Sequence, residues 1–462
     1  MNWKSSYPEI AWPAVMTGNA AMLAAVTRQY DASQWWKPEQ LEEFQYRQLT
    51  KLAEHSLRTV PFYAERLKAS GFISGKPMTA EIWRRLPVLT RDEVRDHGEL
   101  LQASTYPPYF GGTSTANSGG STGIPVRVLK TGMDGFMWQA AHLREFAWNG
   151  VDCSLEIANL RGVASFLPAL SQNPNAFEDM GGLITPDWGQ PATMLWKTGR
   201  MGLLEPTLPL AVQAEYLIKR RPGYLIMRPS GLRLLLGYFR EQGVILDSLR
   251  SVWTMSETVD ESLRELCREI FGCPVFSNYS SNETGYIALQ CPSGTNYHSV
   301  SESSLVEVLN VKGNACKPGE IGRVIVTPLH NYAMPLLRYQ VGDEAEVGPP
   351  CGCGRGLPSL TRIVGRLEDY VTLRSGEKRR VHAEHYRISA IRAVREFQLV
   401  QTSLETIELR LVLSRILEDE DKRSLEALMQ KAFGSYLEWA IVIVNSLPRT
   451  PAGKLMQFRS EI

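Results

Sequence analysis

The stretch of this sequence whose residue types best suit phosphate is Thr115-Ala-Asn-Ser-Gly-Gly-Ser-Thr-Gly-Ile-Pro125. Gly119, Gly120 and Gly123 permit backbone angles that other residues avoid. They also let main-chain N–H groups come close to an anion. Ser118, Ser121 and Thr122 add hydroxyl donors. The loop is not the P-loop of the NTPases, because Gly123 is followed by Ile124-Pro125 and not by Lys and a hydroxyl residue. Composition alone suits a linker as well as a polyphosphate cradle. Four later stretches gather further reactive types: Tyr279-Ser-Ser-Asn-Glu283, Arg338-Tyr339-Gln-Val-Gly-Asp343, Gly365-Arg366-Leu-Glu368-Asp369 and Pro448-Arg-Thr-Pro-Ala-Gly-Lys454. Taken singly, each also reads as a surface turn, a structural carboxylate or an exposed loop lysine.

The elements that must position these residues follow from the hydrophobic pattern. Leu41, Phe44, Leu49, Leu52 and Leu57 recur at roughly helical spacing, and Pro61 ends that run. Beyond Ser114, short apolar runs (Leu225-Ile226-Met227, Ser251-Val252-Trp253, Val275-Phe276) alternate with helical patterns such as Ser262 to Phe271. That alternation predicts an α/β layered domain with parallel sheet. Around Leu305 to Leu309 and Arg323 to Thr327 the pattern becomes strand-rich, as in a β subdomain. A boundary is expected near Val364-Gly365, dividing a core domain, 1–364, from a small α+β domain, 365–462. The latter holds strands at Tyr370 to Leu373, Thr406 to Leu413 and Ala440 to Asn445, and a charged helix from Asp419 to Phe433.

The chain has 462 residues, ample for two domains. Its 50 basic and 49 acidic residues leave a net charge of +1, which gives no reason to invoke nucleic acid or a membrane surface. No run approaches the roughly 18 apolar residues of a bilayer span, and no secretory signal is evident at the N-terminus. The expected location is the cytoplasm. Seven cysteines in a chain this long do not make a disulfide framework.

Together, in this order, the five stretches resemble the motifs of the adenylate-forming superfamily of acyl-CoA synthetases, peptide-synthetase adenylation domains and luciferases. The resemblance implies AMP-forming activation of a carboxylic acid. It makes Ser118, Gly119, Gly120, Ser121, Thr122 and Gly123 the phosphate loop, and adds Ser256, Glu257, Tyr279, Asp343 and Arg366 to the ATP/AMP contacts, with Asp343 and Arg366 on the ribose. Glu283 would hold Mg²⁺, Glu368 would be the interdomain hinge, and Lys454 the adenylation catalyst. Three positions depart from the usual pattern: Gly119 for Ser, Asn282 for Thr and Glu368 for Asp. The chemistry explains the residue types, since a carboxylate must attack an anionic phosphoryl centre and needs positive charge to do so.

Leu49-Thr-Lys-Leu-Ala-Glu-His-Ser-Leu-Arg-Thr-Val-Pro61-Phe62-Tyr63, Leu86-Pro-Val-Leu-Thr-Arg91 and Tyr224-Leu-Ile-Met-Arg-Pro229-Ser230 are similar to segments of the phenylacetate–CoA ligase branch. By that likeness the helix after the loop, about Gly132 to Phe146, lines the acid pocket, with Tyr109, Phe110 and Phe136 as pocket candidates beside Trp138 and His142. Aromatic residues at this spacing also suit a core. The branch implies an aromatic acid, coenzyme A as acceptor, and a homodimer by analogy. The alternatives are a stand-alone enzyme that loads a carrier-protein thiol or an amine, and a non-catalytic nucleotide-binding regulator, against which the retained Glu283 and Lys454 argue. Some relatives carry a Cys…His…Cys-x-Cys set, and here Cys291, His298, Cys351 and Cys353 match it. Three thiolates and an imidazole suit a closed structural zinc site; free thiols in two loops are the other reading.

Overall fold

A computed structural model describes every residue except 1, 2, 11, 118–125, 162–176, 180, 367–369, 382–387, 389, 390, 392 and 450–454. The expected phosphate-loop residues from Ser118 to Gly123, the expected hinge Glu368, the expected catalyst Lys454 and the side chain of Arg366 lie outside the described residues. The chain divides into two compact units.

The first unit comprises residues 1–154, 189–198 and 278–365. Its amphipathic helix Pro38–Thr59 buries Leu41, Leu49, Leu52 and Ala53, and Pro61 starts the next helix, Pro61–Ala69, because proline is tolerated at a helix's first position but not in its interior. Strands Thr113–Asn117 and Arg127–Thr131 form an antiparallel hairpin whose register runs from Thr113↔Thr131 to Asn117↔Arg127. The glycine-rich stretch is therefore the connection between two paired strands. Helix Gly132–Trp148 follows at once, its N-terminus capped by the Thr131 hydroxyl, which accepts from the Asp134 N–H. The strand-rich region is an antiparallel run in which Ser304–Leu309, Ile321–Pro328, Tyr339–Val347, Ser359–Arg366, Tyr297–Ser299 and Gly285–Gln290 are successive neighbours. Leu52, Val60, Tyr63, Trp83, Val128, Ile287, Val324 and Leu337 share its core.

The second unit comprises 155–188, 199–277 and 366–462. Strands Ile157–Asn159, Tyr224–Met227, Ser251–Thr254 and the start of Val275–Ser281 pair in parallel. Helices Pro229–Gln242 and Glu261–Phe271 fall between them in the chain, the alternation read from the sequence. The second of these shows how local chemistry sets the bounds. The Asp260 carboxylate accepts from the Leu263 N–H at 2.8 Å to cap the start, and Gly272 takes φ +67° to end it. In 366–462, Val394–Gln401 and Thr406–Leu413 are antiparallel, Glu438–Ile443 adds in parallel to the latter and Phe458–Ser460 to the former. Helix Asp419–Phe433 packs Leu425, Met429 and Phe433 into the same core as Leu399 and Leu409. The final long strand starts two residues before its sequence expectation, because Glu438 already pairs with Thr406.

Candidate active site and metal centre

The turn that carries Glu283 is built by its flanking strands. Val275–Ser281 and Gly285–Gln290 pair with Ser281 opposite Gly285, so Asn282, Glu283 and Thr284 form the tip. Gly285 closes it at φ +79°, a conformation that β-carbons disfavour. The Ser281 hydroxyl accepts from the Thr284 N–H at 3.0 Å. Asn282 donates from Nδ2 to the carbonyl of Asn117 at 2.8 Å. That bond ties the Glu283 turn to the last described residue before the glycine-rich stretch. Sequence reasoning treated Asn282 only as a lost hydroxyl; here its longer amide performs a bridging task.

Glu283 is buried to 5 % exposure, with Arg91 Nη1 at 3.8 Å. Arg91 was not among the expected site residues. It arrives there because the Leu86-Pro-Val-Leu-Thr segment docks on the strand that carries Asp343: the Leu89 N–H donates to the Arg338 carbonyl, and the Gln340 N–H to the Leu89 carbonyl, each at 2.9 Å. Thr90 then caps helix Arg91–Asp96 in a reciprocal box with Glu93. Arg338 holds the same segment from the other side, donating to the Leu86 carbonyl at 2.7 Å while pairing with Glu307 at 2.9 Å. The Tyr279 hydroxyl, on strand Val275–Ser281, donates to Asp343 Oδ2, on strand Tyr339–Val347, at 2.9 Å. Tyr279, Glu283, Asp343 and Arg91 all belong to the first unit. A buried carboxylate is the sort of protein donor Mg²⁺ uses, and Glu283 is one.

Ser256 and Glu257 belong to the second unit. Ser256 sits just past strand Ser251–Thr254 at φ +68°, a conformation uncommon for a residue with a side chain and typical of functional turns. Glu257 accepts from the Ser230 N–H at 2.9 Å at the start of helix Pro229–Gln242.

Among the pocket candidates, Tyr109 is 79 % exposed, while Phe110 packs edge-on against Tyr332 with ring centres 4.8 Å apart. Phe136 is half-buried on helix Gly132–Trp148. The same helix aligns Trp138, His142 and Glu145 at helical spacing. The Trp138 and His142 rings stack at 5.3 Å, His142 Nδ1 lies 2.7 Å from the Tyr286 hydroxyl, and that hydroxyl donates to Glu145 Oε2 at 3.1 Å. Trp138 remains 41 % exposed, leaving indole surface for a flat ligand.

Cys291, His298, Cys351 and Cys353 converge, all four ligand atoms lying within 4.8 Å of one another. The strands arrange this: Tyr297–Ser299 pairs with Gly285–Gln290 on one side and with Ser359–Arg366 on the other, with His298 opposite Ser359. Cys291 Sγ and Cys351 Sγ are 3.9 Å apart, and Cys353 Sγ and His298 Nε2 3.3 Å. A tetrahedral zinc with bonds of about 2.3 Å to sulfur would separate two sulfurs by about 3.8 Å, and bring sulfur and nitrogen slightly closer. The donor set fits that ion. His298 is oriented for it: Nδ1 faces the Leu357 carbonyl at 3.2 Å, which leaves Nε2 toward the thiols, the outer-shell arrangement of metal-bound imidazoles. Burial lowers the His298 pKa, so the ring is held neutral, and burial pushes the Cys291 thiol up to about 11. A cation among the sulfurs would reverse the latter.

With this geometry in place, the chain can be set beside known proteins. Residues 373–460 match the CapK C-terminal domain family. Protein CapK of Staphylococcus aureus is 24% identical over 442 residues, covering 90% of this chain and 88% of the relative. The phenylacetate-coenzyme A ligase of Thermus thermophilus is 24% identical over 447 residues, covering 90% and 96%. A crystal structure of 2-hydroxyisobutyryl-CoA ligase in the postadenylation state, bound to its acyl-adenylate, matches with a TM-score of 0.71 at 18% identity, over 93% of this chain and 91% of that one. Over most of its length the chain is similar in sequence to phenylacetate-coenzyme A ligases, and its fold is that of adenylate-forming ligases. Among the described residues, no helix is long and apolar enough to cross a membrane.

Proposed function

We propose that this protein activates a carboxylic acid with ATP to an acyl-adenylate and transfers the acyl group to coenzyme A. The observations that carry the reading are the Tyr279–Asp343 hydrogen bond and, within the same unit, the Asn282–Asn117 bond that ties the Glu283 turn to the hairpin bearing the glycine-rich stretch. In the first step a carboxylate oxygen attacks the α-phosphorus and the bond to pyrophosphate breaks; in the second a thiol sulfur attacks the acyl carbon and AMP leaves. Asp343, oriented by Tyr279, would accept the ribose hydroxyls, and Ser256, Glu257 and Arg366 would complete the nucleotide contacts. Ser118 to Gly123 would clamp the departing pyrophosphate. Glu283 would hold Mg²⁺, which supplies charge neutralisation at the phosphates, and Arg91 stands beside it with a second positive charge. Lys454 would meet the developing charge on the attacked phosphate.

An aromatic acid is favoured by the similarity to phenylacetate-coenzyme A ligases and by the exposed Trp138 face. Residues 365–462 would act as the small domain that turns about Glu368 between the two steps, a reading supported by a family match confined to 373–460. Zinc at Cys291, His298, Cys351 and Cys353 would be structural, since all four donors come from the protein. ATP and coenzyme A as substrates favour the cytoplasm.

The test is pyrophosphate release across benzoate, phenylacetate, 2-hydroxyisobutyrate and acetate, with coenzyme A omitted and supplied. Release with an aromatic acid, and thioester only when coenzyme A is present, is expected. Thiolation of a carrier protein without free coenzyme A would reassign the acceptor, and silence with every acid would refute acid activation.

A further inference from the structure

The second unit contains a charged junction that the motif residues leave unexplained. Arg449 stands within Pro448-Arg-Thr, five positions before Lys454. Its guanidinium ion-pairs with Glu396 on strand Val394–Gln401, whose side chain is only 8% exposed. The same guanidinium donates from Nη1 to the Ser230 hydroxyl at 3.2 Å. Ser230 opens helix Pro229–Gln242 and is itself fastened to Glu257, by its N–H at 2.9 Å and its hydroxyl at 3.2 Å. Arg395, next to Glu396, makes a second link to that helix through Glu241 at 3.2 Å. A continuous chain of contacts thus runs Glu396–Arg449–Ser230–Glu257.

Two further observations tell what this chain of contacts constrains. Arg449 pairs with Leu455 in an antiparallel bridge. Leu455 is buried against Val412 and Leu447. The five residue steps from Arg449 to Lys454 span at most about 17 Å fully extended. Whatever holds Arg449 therefore limits where the lysine can reach. Glu396, nearly buried, gives the arginine a partner it cannot abandon cheaply, whereas the Ser230 contact is a single neutral acceptor and can be released.

We propose that Arg449 is a positioning residue for the acid-activating half-reaction. Its ion pair with Glu396 and its bond to Ser230 hold the backbone that leads toward Lys454. Transfer to the thiol does not use the Ser230 contact. This deepens the function proposed above and rests on it.

The experiment separates the half-reactions. Acid-dependent pyrophosphate release is measured for wild type, R449A, R449K and S230A using the best of the four acids named above. Thioester formation is measured from the chemically prepared adenylate of that acid with coenzyme A, and melting temperature is recorded for each variant. R449A should lower pyrophosphate release about 10²-fold, the scale of a displaced catalytic group, and R449K should restore part of it. S230A should lower release several-fold with unchanged melting. All three should form thioester within about threefold of wild type, since the contact at issue is worth little to that step. Equal losses in both half-reactions, or no loss in either, would overturn the assignment; should R449A not fold, S230A decides by the same split. A wild type silent with every acid removes the underlying function instead, and the inference with it.

Discussion

Replacing Cys353 by serine removes one of four donors while keeping nearly the same volume, and it probes the metal centre at its most quantifiable point. The cluster joins two segments, Cys291 to His298 and Cys351 to Cys353, separated by a loop of roughly 50 residues. Treated as a cross-link, closing such a loop removes unfolded-chain entropy worth about 4 kcal/mol at room temperature. A change of 1 kcal/mol shifts melting by about 2–4 °C for a unit of 150–250 residues, so C353S should melt about 8–16 °C below wild type. Calorimetry measures the shift, and elemental analysis of protein purified without added metal should find about one zinc per chain in wild type, from the four-donor stoichiometry, and far less in the variant. Wild type treated with a chelator should fall to the variant's melting temperature. C316S, at a half-buried cysteine outside the cluster, should scarcely move. Because the ion would bear no substrate, folded C353S should retain pyrophosphate release at low temperature. Metal-free wild type whose melting ignores both chelator and C353S would refute the reasoning, and a metal-dependent chemical step at full stability would refute the structural role.

Three further outcomes are expected. Lys454→Ala should cost about 10²–10³-fold in pyrophosphate release, the scale for one preorganised charge, with melting unchanged. Asp343→Ala should raise the KM for ATP, whereas Tyr279→Phe, which removes the 2.9 Å bond to Asp343, should cost about 1 kcal/mol, or roughly fivefold; steady-state kinetics at varied ATP separates them. Burial pushes the His330 imidazole down to about 4, against a partial upward pull from Asp134. The unfolded chain takes up that proton near pH 6.5, so between about 6.5 and 4 the unfolded state binds more protons and stability falls as pH drops. His330→Gln should flatten the melting-temperature profile across that window, and an unchanged slope would rule out His330 as its source.

Much of the fold was legible because its signals are local. The Asp260 cap and the Gly272 terminus define helix Glu261–Phe271 without reference to the rest of the molecule, and the Asp419–Phe433 helix coincides with its charged, periodic segment. Short apolar runs announced the strands Tyr224–Met227, Ser251–Thr254 and Val275–Ser281. Strand Val394–Gln401 escaped notice, because its burial is set by the strands on either side of it. The candidate site residues stood out through motif order, and the Cys and His set, which the structure brings together, through ligand type, both properties of residue identity.

Partnership was not legible. Nothing near Arg91 in the chain announces Glu283, because the two meet only after the Leu86 segment docks on the strand that carries Asp343. Asn282 read as a defect in a motif until its amide was seen bonded to Asn117, some 165 positions away. Nothing beside Arg449 in the chain announces its contacts, which come from residues 396 and 230. The sequence by itself determined which chemical groups are available and which short elements carry them, since propensity, capping and motif order act over a few residues. Tertiary structure alone decided which groups meet, since hydrogen bonds and ion pairs act over a few ångströms and depend on distance in space, not along the chain.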